Sequence, residues 1–144
     1  MSRSGYSYDC DYLGLWRGAV SKAIRGNRGQ SFLKEMLTAL DALPEKKLIT
    51  GDFKTNTGEV CALGAVGLKR GIDLTEINPE DRGPVGKLFG IAPAMAAEIM
   101  YENDEGSVAR GIETPEDRFQ RIRAWVVKNI SEREEPTVAE TTKV

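Results

Sequence analysis

Histidine is absent from this chain of 144 residues. No side chain therefore titrates near neutrality unless its surroundings shift it strongly. Ser-His and Cys-His nucleophile systems are excluded, as is any imidazole metal ligand. Proton transfer would fall to carboxylates, a lysine, a tyrosine or a thiolate, so the expected role is non-catalytic. Cysteine is scarce, with Cys10 and Cys61 only. Two distant cysteines form neither a zinc site nor a disulfide framework, and reduced thiols in a cytoplasm are the expectation. No apolar run approaches the ~20 residues of a membrane span. The first eleven residues have no apolar core and carry acids, unlike a secretory leader. No membrane partner and no cofactor are expected. The net charge of −2 gives no bulk basic field to recruit nucleic acid.

What remains is a globular composition. Hydrophobic residues make up 40% and charged residues 29%, which suits one ordinary domain that buries a core without staples. Residues 1–11 read as a flexible N-terminus, 12–130 as a single helical domain and 131–144 as a disordered tail. The expected fold is mainly α, a compact bundle of about five to six helices.

Apolar residues from Tyr12 to Ile24 repeat at helical spacing. Gly26 and Asn27 suit a left-handed cap that ends this helix. A second helix over Gln30–Leu43 carries the stripe Leu33, Met36, Leu37 and Leu40, and Pro44 closes it. Residues 47–60 admit a short β-hairpin, with Thr55-Asn56-Thr57-Gly58 as its turn. Val60 to Leu68 is apolar all round, which predicts a buried central helix with a buried strand as competitor. Short helices follow at Val85–Phe89 and Pro93–Glu102. The last helix has the clearest start: Thr114 caps it, Pro115 opens it, and Glu116 and Asp117 favour its positive end. Its stripe is Phe119, Ile122, Val126 and Ile130. The expected core is Leu15, Trp16, Val20, Leu33, Leu37, Leu63, Val66, Ile99, Phe119, Ile122 and Val126.

The main candidate site is the turn Arg25-Gly26-Asn27-Arg28-Gly29-Gln30. Between Tyr12 and Lys34 there are five cations, Arg17, Lys22, Arg25, Arg28 and Lys34, and no acid. Glycine-rich backbone leading into a helix offers free N–H groups and a positive dipole end. Arg17, Lys22, Arg25, Asn27, Arg28, Gly29 and Gln30 are thus candidates for an anion, a phosphate or an acidic partner surface. The bland alternative is a capped turn with solvated arginines, since the spacing is shorter than a P-loop's.

Val85 to Ala92 has the sterics of a helix-turn-helix, but the helix after it lacks the donors that read bases. Cys61 reads as a small apolar residue, there being no histidine to take its proton. The acids Asp9, Asp11, Glu102, Asp104 and Glu105 do not match a calcium loop and read as solvated. Arg118, Arg121 and Arg123 lie near Glu113, Glu116 and Asp117, so local ion pairs are expected there.

Four segments, Leu15-Trp16-Arg17-Gly18-Ala19-Val20, Arg28-Gly29-Gln30-Ser31-Phe32-Leu33, Val60-Cys61-Ala62-Leu63-Gly64-Ala65-Val66 and Glu113-Thr114-Pro115-Glu116-Asp117-Arg118-Phe119, resemble a family of small uncharacterised phage and prophage proteins. The resemblance spans about residues 12–130 and implies a bacterial cytoplasm, with no reaction and no site residues to carry over. The expected function is a non-catalytic accessory protein that binds a host or phage macromolecule, a protein partner first. Inhibition of a host defence system is one specific form of this. The alternative is a phosphate-ligand binder, for nucleotide or nucleic acid, that uses the basic first helix and the Arg25–Gln30 turn.

Overall fold

The computed structural model describes residues 13–74, 77–78, 81–105 and 113–138, and the side chains of all these except 13–16, 82 and 131–138. Six helices occur among them: α1 (Leu13–Arg25), α2 (Asn27–Ala42), α3 (Ala62–Arg70), α4 (Arg82–Phe89), α5 (Pro93–Glu105) and α6 (Pro115–Val138). They pack as a bundle in which α2 lies on α3 and α6, α1 lies on α5 and α2, and α4 pairs with α5. None is long and apolar enough to cross a membrane.

The turn between α1 and α2 is tighter than its sequence suggests. Gly26 alone connects them, in extended conformation rather than the left-handed one expected there (φ −73°, ψ 167°). Asn27, Arg28 and Gly29 are already helical. This requires close approach: Gly29 is buried against the Ala23 carbonyl, where any Cβ would collide. Glycine is thus placed here for space.

Of apolar Val60–Leu68, the stretch from Ala62 onward is helix rather than strand, while Val60 forms a β-bridge and Leu68 is exposed, not buried as expected. Cys61 caps α3, its sulfur accepting from the Gly64 N–H at 3.4 Å. Gly64 lets the helix sit directly on the Phe53 carbonyl. Gly71 ends α3 in the left-handed region, after Lys69 and Arg70. The hairpin admitted at 47–60 reduces to one isolated antiparallel bridge, Lys54 with Val60, and no strand occurs among the described residues. The backbone groups of this segment find dispersed partners instead. Leu48 N–H donates to the Pro115 carbonyl at 3.1 Å, and Cys61 N–H donates to the Phe53 carbonyl at 3.1 Å.

Thr114 caps α6 as its sequence dictates, its hydroxyl accepting from the Asp117 N–H at 3.0 Å. The helix runs on to Val138, past the end expected at Ile130. Glu132, Arg133, Glu134 and Glu135 are straight-chain helix formers that extend a ladder already nucleated. The expected flexible N-terminus, Cys10 and its neighbouring aspartates, and residues 139–144 lie outside the described residues.

Of the expected core, Val20, Leu33, Leu63, Val66, Ile99, Phe119, Ile122 and Val126 are buried. Leu37 is only partly buried, at the margin of the cluster. The side chains of Leu15 and Trp16 lie outside the description. Phe32, Phe53 and Phe89 meet in the core, with Phe32 edge-on to Phe89 at 5.9 Å.

Candidate functional site

Helix α1 divides the expected site into two. Arg17, Ser21, Ile24 and Arg25 recur along one face and line a cleft of about 330 Å³ with Val20, Glu98, Trp125 and Asn129. Lys22, Asn27, Arg28 and Gly29 line a different cleft of about 440 Å³, with Ala19, Ala23, Gly26, Ile91, Ala92 and Met95. The seven candidate residues therefore do not converge. Gln30 faces neither lining. Its amide nitrogen donates to the Ile24 carbonyl at 2.8 Å and to the Asn129 carbonyl at 3.3 Å, tying α1 to α6. Its backbone N–H is spent on the Gly26 carbonyl at 2.9 Å. Gln30 is thus a structural tie and has no backbone donor left for an anion.

The first cleft holds the stronger chemistry. Arg17 grips Glu98 with two bonds, Nη1 to Oε1 at 2.7 Å and Nη2 to Oε2 at 3.0 Å. The pair is one-sided: the Arg17 side chain is 47% exposed and that of Glu98 is 3% exposed. Two parallel N–H···O bonds of this kind satisfy both oxygens of a carboxyl group that solvent barely reaches. At the other end of α1 Arg25 donates to the Ser21 hydroxyl. Half-buried Trp125 contributes an indole, and the Asn129 amide is held by the Trp125 carbonyl at 2.8 Å. Two guanidinium groups, a hydroxyl and an aromatic ring thus share one opening.

Behind it an ionic chain crosses the bundle. Glu102 stands one turn after Glu98 on α5. Burial first, then the neighbouring Glu98, push the Glu102 carboxyl up to about 7, against the opposing pull of Arg121 and Arg17. Arg121 reaches Glu102 Oε1 at 3.9 Å and bonds Glu113 twice, at 2.7 and 3.0 Å. Arg118 completes the chain, 3.4 Å from Glu113 and donating to the Leu48 carbonyl at 2.9 Å. Arg123 pairs instead with Asp41 on α2. Glu102 does not line the cleft.

Glu98, Trp125 and Asn129 were not among the sequence candidates. Glu98 did leave a signal, as the one ionisable residue between Pro93 and Met100. Buried Met95 to Met100 also leaves that part of α5 no open face for a DNA groove. Cys61 is buried in the core. Among the described residues no group of three or more acids and thiols is placed to hold a metal ion. Comparison with protein-family models, with curated proteins and with solved structures gives no match to this chain.

Proposed function

We propose that this protein is a non-catalytic binding protein whose partner is a protein of phage or host, docked by an acidic segment on the α1 cleft. The carrying observation is the grouping of Arg17 and Arg25 with Trp125 around one opening of about 330 Å³. Guanidinium groups match carboxylates in charge and planar geometry, and an indole beside them adds a flat apolar contact. Arginine and tryptophan are also the residues that most often carry interface energy. The phage and prophage resemblance supports a bacterial setting, and inhibition of a host defence system is the specific form it suggests.

The phosphate reading belongs to the second cleft. Lys22 and Arg28 rim it beside the first turn of α2, which has no side-chain cap. Its lining is otherwise mostly apolar, and the buried Gly29 and the engaged Gln30 amide weaken it.

The test is affinity capture from phage-infected bacteria, run in parallel for the unaltered protein and for Arg25→Glu, an exposed position. A partner protein recovered with the former and lost with a folded Arg25→Glu is expected. Equal recovery with both would move the binding surface away from this cleft. Loss with Arg28→Glu alone would favour the second cleft.

A further inference from the structure

The second cleft combines two features that a phosphate ligand leaves unexplained. At about 440 Å³ it is larger than the α1 cleft, and most of its wall is apolar. Phosphate gains nothing from an apolar wall, which offers it no hydrogen bond. Yet the cations at the rim are unspent. Lys22 and Arg28 are exposed, and neither side chain has a hydrogen-bond or ion-pair partner among the described residues. We propose that this cleft binds a small amphipathic carboxylate, a medium-chain fatty acid. Its hydrocarbon tail lies between α1 and the α4–α5 turn, and its head rests on Lys22 and Arg28.

The wall follows from the sequence. Ala19 and Ala23 stand one turn apart on α1, with Gly26 next on the same face, so that face carries no bulk. Ile91 and Ala92, in the turn between α4 and α5, line the other side. Ile91 and Met95 are buried and close the floor. A tail laid in this gap leaves water for apolar contact. The head is selected separately. Lys22 comes from the last turn of α1 and Arg28 from the first turn of α2, one on each side of the Gly26 connection. Among the described residues no acid lines the cleft, and neither α2 nor α5 has an acid in its first turn. An anionic head therefore meets two cations and no opposing charge. The methylene stems of Lys22 and Arg28 extend the apolar wall while their charged ends stay in water. A mostly apolar cleft with a few polar groups that fix orientation, within about 300–1,000 Å³, is the usual form of a small-molecule site.

The test uses octanoate below its micelle-forming concentration. In parallel, 1-octanol offers the tail without the charge, and inorganic phosphate the charge without the tail. Affinities are measured by calorimetry, and the site is located by methyl resonances of Ala23, Ile91 and Ala92, with the Trp125 indole reporting on the α1 cleft. Octanoate is expected to bind at least about tenfold tighter than either control, and to move the three methyl signals and not the indole. Lys22→Gln combined with Arg28→Gln changes two exposed positions and should keep the thermal midpoint while reducing octanoate to the affinity of octanol. Octanol binding as tightly as octanoate, or octanoate undiminished in the double variant, would overturn recognition of the head. Phosphate binding as tightly would overturn the role of the tail and return the cleft to a phosphate ligand. No octanoate binding, or a shift confined to Trp125, would defeat the site. The α1 cleft is tested apart from this, because Arg25 lines that cleft and not the second.

Discussion

Helices α2 and α5 each bury seven residues, yet the two sets differ in kind. On α2 the set is Gly29, Phe32, Leu33, Met36, Ala39 and Leu40, with Gln30 as its only polar member. On α5, Glu98 and Asn103 sit among Met95, Ala96, Ala97, Ile99 and Met100. Apolar burial on α2 is non-directional and scales with area. The polar members of α5 must be met group by group. Glu98 takes Arg17 from α1, while Asn103 accepts from the Ala62 N–H at 3.1 Å and donates to the Ile49 carbonyl at 2.8 Å. One helix therefore supplies bulk stability, and the other fixes where α1, α3 and the 47–61 connection stand.

The contrast is sharpest under truncation. Leu33→Ala removes a fully buried side chain from α2 and should cost roughly 2–5 kcal/mol, read as a lower denaturant midpoint. Leu37→Ala, at the core margin, should cost clearly less. Equal losses at the two positions would break the assignment of the α2 stripe. Asn103→Ala leaves the Ala62 N–H and Ile49 carbonyl without partners and should cost about 2–4 kcal/mol. Its further signature is local: faster hydrogen exchange at the start of α3, with α2 amides protected as before. A uniform loss of protection would show that the polar ties on α5 are not local ones.

The two helices were also unequally legible. The α2 stripe and the Thr114 cap are local patterns, written within one or two turns; the structure buries Leu33, Met36 and Leu40 of the stripe, leaves Leu37 at the margin, and makes the cap. The tie from Arg17 to Glu98 joins residues 81 positions apart, and no periodicity points from one to the other. Glu98 stood out only as a charge in apolar surroundings, which says that a partner is needed without saying which. The division of the candidate site was legible in principle. Five residues turn a helix by about 500°, so Lys22 points about 140° away from Arg17. Counting cations along a segment overlooked that rotation. The one-residue turn at Gly26 was hidden because Gly29 looked like loop glycine, whereas it serves contact between helices.

The smallest expected effect separates the two helices by pH. Glu102 on α5 has its carboxyl raised from 4.5 to about 7, through burial first and Glu98 second. Between those values the folded chain holds a proton that the unfolded chain has released. Stability from this group is therefore full below pH 4.5, falls as pH rises toward 7, and is level above that. The full shift would correspond to about 3–4 kcal/mol, and solvent screening of this partly exposed group brings its contribution well below that. The ion pairs of α2 act elsewhere on the scale. Glu35 is held below 4.5 by its hydrogen bond to Arg70, and Asp41 below 3.8 by its bond to Arg123, so their stabilisation is lost only in more acid solution. Denaturant midpoints for the unaltered protein should accordingly fall between pH 5 and pH 7.5. In Glu102→Gln the curve should flatten across that window while keeping its acid limb. An unchanged slope in that variant would assign the proton to another group and leave the polar side of the bundle without its own pH dependence.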